Sequence, residues 1–98
     1  MITKFFDESY LQKGFELNIT ACIITDNNPK VLDAIKSVYD SVSEIILVNT
    51  SDRFELDIKG LDKIKLHWFK WNDSFSDARN YSISKASGEW ILIIDSDE

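Results

Sequence analysis

Scarcity is the first information in this sequence, which has one cysteine, one proline, one histidine and three glycines among 98 residues. With Cys22 alone no internal disulfide can form, and the Cys, His and carboxylate residues do not fall at zinc-site spacings. Cys22 sits inside an apolar run and reads as a small buried hydrophobe rather than a reactive thiol. No apolar run approaches the ~18 residues that a membrane-spanning helix requires. The opening Met1-Ile-Thr-Lys-Phe-Phe-Asp7 also lacks the apolar core of a secretory leader. The expectation is a cytoplasmic chain with no membrane span, in which the Asn-x-Ser/Thr triplets at Asn18, Asn49, Asn72 and Asn80 have no glycosylation context. Positive charge is short too. Eleven Lys and Arg against 17 Asp and Glu give a net charge of −6 without any basic run, so nucleic acid and anionic membrane surfaces are poor partners.

What is present is ordinary for a folded soluble protein: 44% hydrophobic and 29% charged residues, in a chain sized for one domain at most. Residues 1–18 carry Phe5, Phe6, Tyr10, Leu11 and Phe15 at a rough helical spacing and read as a short helix or an irregular lead-in. Residues 19–25 form an apolar first strand, stopped by Asp26-Asn-Asn-Pro29. There Asn28 can accept backbone N–H bonds and Pro29 suits the first helical position. A helix over 29–42 follows, with Leu32, Ile35, Val38, Tyr39 and Val42 on one face. Residues 44–49 are the second strand. A turn at 50–53 leads to a short helix expected over 54–61 and stopped by Gly60. Residues 64–71 form a third, amphipathic strand suited to a sheet edge.

Ser74 then offers an N-cap with Asp77 three residues on, opening a helix to about residue 87. Phe75, Ala78, Ile83 and Ala86 are its inward candidates, and Gly88 would supply a left-handed end. Residues 90–94 are an unbroken apolar run, as in a strand buried on both faces. The alternation predicts an α/β fold: a doubly wound, mostly parallel four-stranded sheet with flanking helices, occupying residues 19–98.

At the end of that last strand Asp95, Asp97 and Glu98 cluster. Ligands of open α/β sheets bind outside the carboxyl ends of strands, where such acids can hold a divalent cation and its phosphate ligand. The plainer alternative is a strand that stops in a solvated acidic turn. The wider context favours a site. Ala21-Cys-Ile-Ile-Thr25, Glu44-Ile-Ile-Leu-Val48, Trp71-Asn-Asp-Ser-Phe75, Phe75-Ser-Asp-Ala-Arg-Asn80, Ser87-Gly-Glu-Trp90 and the final Asp-x-Asp-Glu come in the order found in glycosyltransferase family 2. The chain resembles that family from about Ile19 to its last residue.

The resemblance implies a GT-A, Rossmann-like fold and transfer of a sugar from a nucleotide diphosphate donor, with Mn2+ or Mg2+ as cofactor. It implies that Asp97 coordinates the metal and that Asp95 contacts metal or ribose. It further implies that Thr25, Asp26, Asn49, Asp52 and Arg79 line the donor pocket. Similar family members usually carry Asp where Asn49 stands, followed by a Gly-Ser-Thr-Asp turn, so Asn49 is either a ligand amide or only a turn residue. Arg79 could grip a base or diphosphate oxygen with its fork, or form a surface ion pair. His67 and the three tryptophans have no partner cluster and read as packing residues. The family's catalytic base lies beyond the metal motif, so none is assigned here and it is expected past Glu98. The chain is then expected to be the donor-binding part of an enzyme, inactive alone and weakly self-associating through an uncovered last strand. Two other readings stay open: a non-catalytic doubly wound interaction domain, and a receiver-like phosphoacceptor module, although Asp26 lacks the second acid a receiver would want.

Overall fold

The runs at residues 19–25 and 44–49 are buried at every position but Ile24, because these strands lie inside the sheet and are covered on both faces. The computed structural model describes residues 2–4 and 18–95. Among them are the strands β1 (Ile2–Lys4), β2 (Ile19–Thr25), β3 (Glu44–Asn49), β4 (Ile64–Trp68) and β5 (Trp90–Asp95), and the helices α1 (Lys30–Val38) and α2 (Phe75–Ser84). They form one sheet in the order β1-β5-β2-β3-β4. The four expected strands are mutually parallel, with β4 at an edge. β1 adds an antiparallel strand that was not expected and pairs Ile2 with Ile94. The outer edge of β5 is therefore occupied, and the self-association expected from an open edge there loses that basis. The rest of the anticipated lead-in, with Phe5, Phe6, Tyr10 and Phe15, lies outside the described residues.

Side-chain alternation splits the core in two. Ile19, Ala21, Ile23, Ile45, Leu47, Leu92 and Ile94 face α1 and pack with Val31, Ile35 and Val38. Cys22, Ile46 and Val48 face the other way, toward Tyr81, Ile83 and Ala86. The helices thus cover opposite faces, as a doubly wound sheet requires. Each fully buried aliphatic side chain contributes about 1.5–3 kcal/mol by leaving water.

The local start signals work as the sequence suggests. Asn28 Oδ1 accepts the Lys30 N–H at 3.0 Å, with Pro29 at a helical φ of −58°. Ser74 Oγ accepts the Asp77 N–H at 3.2 Å. Asp77 does not return to Ser74. Its Oδ2 takes the Asn72 amide at 2.9 Å, while Asn72 Oδ1 accepts the Ser74 N–H at 3.1 Å.

Several boundaries differ from expectation. α1 ends at Val38 and tightens into a 3-10 turn over Tyr39–Ser41, and its fully buried residue in the first turn is Val31 rather than Leu32. No helix forms over residues 54–61. Phe54, Leu56 and Ile58 alternate with exposed neighbours at the period of an extended chain, and Phe54 and Leu56 lie against the α1-side core. Gly60 still takes the left-handed conformation, at φ +82°. β4 stops at Trp68 and α2 at Ser84, both earlier than expected.

Gly88 does not adopt a left-handed turn. Its requirement is close approach: a Cβ there would lie 2.6 Å from Thr20 Oγ1, 2.8 Å from Thr20 N and 3.0 Å from the Asn18 carbonyl oxygen. The Gly88 N–H donates to Thr20 Oγ1 at 2.9 Å, and the Glu89 and Trp90 N–H groups both donate to Asn18 O, which starts β5 beside β2. Gly88→Ala is expected to lower stability by about 1–3 kcal/mol through this overpacking against backbone. Urea unfolding of the variant against the parent measures it.

The amino ends of the strands are joined by Glu44, which is buried at the start of β3. Its carboxylate accepts from Thr20 Oγ1 at 2.6 Å, Lys65 Nζ at 2.7 Å, Ser87 N–H at 2.6 Å and Ser87 Oγ at 2.7 Å. Burial raises its pKa, but the Lys65 ammonium, the Thr20 hydroxyl and the two Ser87 donors outweigh burial and lower it from 4.5 to about 2. A folded-state pKa below the unfolded one stabilises the fold above the unfolded value and loses that contribution as pH falls toward the folded value. Stability is therefore expected to fall between pH 4.5 and 2 by on the order of 3 kcal/mol. Glu44→Gln should be less stable at pH 7 and flatter across that window. Unfolding curves at stepped pH test both.

Candidate functional site

The chain passes from β2 to β3 to β4 and then crosses back to place β5 on the other side of β2. The helical connections on the two sides of β2 cover opposite faces, and the carboxyl ends of β2 and β5 beside that reversal are where open α/β sheets take their ligands. Asp95 ends β5 there, in register with Ile24. Thr25 and Asn49 are paired at the same level of β2 and β3. The fold thus brings the backbones of Thr25, Asn49 and Asp95 to one end of three neighbouring strands. Asp97 and Glu98 lie outside the described residues.

Thr25 is buried and holds the floor of this end together. Its Oγ1 accepts the Asn27 N–H at 3.1 Å, and its carbonyl accepts both the N–H and the hydroxyl of Thr50, at 2.9 and 3.2 Å. Asn27, at φ +77°, uses its Oδ1 to accept the Glu55 N–H at 3.0 Å, which ties the loop after β2 to the segment after β3. The composition of Asp26-Asn-Asn-Pro29 signalled a turn but not this cross-link. Asparagine tolerates the left-handed region that the link requires. Asp26 and Asp52 are exposed on these two loops.

Asn49 is completely buried and its amide is used within its own turn. Nδ2 donates to the Arg53 carbonyl at 3.1 Å, while Oδ1 accepts the Ser51 N–H at 3.1 Å and the Ser51 hydroxyl at 2.8 Å. A carboxylate here would keep the two acceptor roles and lose the donor. The amide thus suits this shorter turn without glycine. Its backbone carbonyl accepts the Phe69 N–H at 3.0 Å and aligns the exit of β4.

Arg79 is half-buried on α2, whose contacts run to β2 and β3. Because the chain leaves β4 at the carboxyl end and returns to Gly88 beside Thr20, α2 starts above this end of the sheet. Phe75, expected to point inward, is 61% exposed. His67 and the half-buried Phe69 pack edgewise or tilted on Tyr81, with centroids 6.3 and 5.2 Å away, as packing residues would. Cys22 is buried as expected, and burial pushes its thiol pKa up.

Among the described residues no three His, Cys, Asp or Glu side chains come together as a metal site, and no helix is long and apolar enough to cross a membrane. Carboxylates such as those of Asp95 and Asp97 offer oxygen donors alone, a chemistry that fits a hard divalent cation such as Mg2+ or Mn2+ rather than zinc.

Comparison with known proteins agrees with this architecture. The sequence profile of the family described as Glycosyl transferase family 2 matches residues 20–98. A TPR repeat-containing protein of Synechococcus elongatus is 35% identical over 82 residues, covering 82% of this chain and 20% of that protein. The SPbeta prophage-derived glycosyltransferase SunS of Bacillus subtilis and glycosyltransferase SunS of Bacillus phage SPbeta are each 35% identical over 90 residues, covering 88% of this chain and 21% of theirs. The chain spans about a fifth of the length of these curated relatives.

Asn49→Asp sets a carboxylate oxygen against the Arg53 carbonyl. It is expected to cost about 1–2 kcal/mol and to speed amide exchange over residues 50–53. Hydrogen exchange followed by NMR measures it, and unchanged protection would mean the turn does not depend on the amide.

Proposed function

Because the chain belongs to glycosyl transferase family 2, we propose that it holds the nucleotide diphosphate portion of a sugar donor across the carboxyl ends of β2, β3 and β5. The observation that carries this reading is the placement of Asp95 beside β2 at the point where the strand order reverses, within the stretch matched to the family. The name of the SunS relatives, glycosyltransferase, agrees with it.

In this proposal the loops after β2 and β3 form the bed of the ligand. Thr25 keeps the bed rigid through its bonds to Asn27 and Thr50, and Asn49 does so through its turn. Asp26 and Asp52 offer acceptors to ribose hydroxyls, and the Arg79 fork offers donors to the base or the diphosphate. Asp95 and Asp97 would hold Mg2+ or Mn2+. The chemistry a bound cation supplies is neutralisation of the charge that grows on the diphosphate as the sugar–phosphate bond breaks. We assign no acceptor base within residues 1–98, so the role proposed for these residues is holding the donor.

Titration with uridine diphosphate in the presence of Mg2+, read as amide shifts, tests the proposal. Shifts are expected at residues 25–26, 49–52, 79 and 95–98, weak in affinity and lost without the cation. Asp97→Asn should remove the cation dependence. A spectrum in which those amides stay still at millimolar nucleotide would sink the donor site.

A further inference from the structure

The two edges of the sheet are not alike. One is β1, of three residues, and the other is β4, of five residues with no described strand on its outer side. The Ile45 N–H donates to the Lys63 carbonyl at 2.9 Å and the Phe69 N–H to the Asn49 carbonyl at 3.0 Å, so the odd-numbered residues of this stretch turn their backbone toward β3. Among the described residues, Leu66 and Trp68 therefore turn theirs outward, as does the Ile64 carbonyl. An edge of this kind is ordinarily guarded by a lysine that projects past it. Here the guard is drawn inward, because Lys65 Nζ reaches back to Glu44 Oε1 on β3 at 2.7 Å. His67 meets Tyr81 edge to face, on a helix that lies over β2 and β3. On the opposite face Ile64 and Leu66 pack against the α1-side core, while Trp68 is left 49% exposed at the end of the strand.

We infer that β4 is the pairing edge for a second copy of this chain, antiparallel and two-fold symmetric about Leu66. The sequence is complementary to itself in that register. With Leu66 opposite Leu66, the outward N–H and carbonyl of each bond those of the other, and each Trp68 N–H meets the other copy's Ile64 carbonyl. The Ile64 N–H stays in its own turn, where it donates to the Leu61 carbonyl at 3.1 Å. Trp68 falls opposite the other copy's Ile64, which lays an apolar side chain against the half-exposed indole. Just beyond the strand, the exposed Asp62 of one copy falls opposite the exposed Lys70 of the other, and symmetry makes that pair twice. Lys65 falls opposite His67. The register one step shorter would oppose Lys65 to Lys65, a like-charge contact that disfavours it. The matching pattern is thus carried by the chain itself, which singles out a second copy over an unrelated extended segment. The contact is small and the net charge of −6 on each copy opposes it, so the dimer is weak and reversible.

Amide exchange across a concentration series up to about 1 mM, with sedimentation equilibrium in parallel, tests this. A dimer is expected, with exchange at the Leu66 and Trp68 amides slowing as concentration rises, while Lys65 and His67 are protected at every concentration by β3. Trp68→Pro removes an outward donor without removing a bond to β3, and should abolish the dimer while the circular dichroism spectrum is kept. Asp62→Lys sets cation against cation and should weaken the dimer roughly tenfold, and adding Lys70→Asp to it should restore the parent affinity. These exposed charges lie outside both cores, so the swap decides the matter even if Trp68→Pro unfolds. A monomer at every concentration would overturn the inference, as would a dimer that is indifferent to the charge swap or whose protection appears away from β4. Slow exchange at Leu66 and Trp68 in the dilute monomer would also overturn it, by placing a segment of the same chain on this edge.

Discussion

The sheet depends on a charge that must remain where it is buried. Glu44 sits at the amino end of β3, and its carboxylate is bonded to β2 through Thr20, to β4 through Lys65 and to the start of β5 through Ser87. Removing such a group from water is unfavourable unless its lone pairs are satisfied, and four donors satisfy them here. Parallel strands slip easily when all their side chains are alike and apolar, and β2, β3 and β5 are close to that. A single polar junction that fits in one register removes the ambiguity at one end. Since the strands are rigid over their length, it also fixes which residues meet at the other.

The candidate site gains from that distance. Thr25 arrives level with Asn49, and Asp95 level with the neighbouring Ile24, because Thr20, Glu44 and Ile91 are aligned at the opposite end. The carboxyl end can then spend its polar groups locally. Asn27 and Thr50 bind loops to each other, and Asn49 closes a short turn. A pocket whose walls are held by internal bonds loses little conformational freedom when a ligand enters.

The elements legible in the sequence were those with one dominant signal. The apolar runs of β2, β3 and β5, the Asn28-Pro29 start of α1 and the Ser74 cap of α2 all carry their structure in a few adjacent residues. The misreadings came from signals that local pattern cannot rank. Phe54, Leu56 and Ile58 fit either a helix end or an extended strap, and the bare α1 side of the sheet decided for the strap. Gly88 looked like a helix terminator, but its need is for the backbone of Asn18 and Thr20, distant in sequence. The strand Ile2–Lys4 has only three residues and gains its identity from β5. At the site, the position of Asp95 followed from the strand that precedes it. The burial of Asn49 and the exposure of Phe75 depend on turn length and on tertiary packing, which one sequence does not spell out.

The pairing order also sets a sequence of events. β5 is the last described strand in the chain, yet it lies between β1 and β2, two of the earliest. While a ribosome is still making residues 30–84, β2 and β3 can pair through the local α1 crossover, but one edge of β2 stays bare and β1 has nothing to bind. Docking of β5 closes both gaps in one step. Among the described strands, the carboxyl end shared by β2 and β5 is therefore completed after the β2–β3 pair. Any ligand that grips both β2 and β5 would act on the completed sheet alone and hold shut the seam that formed last.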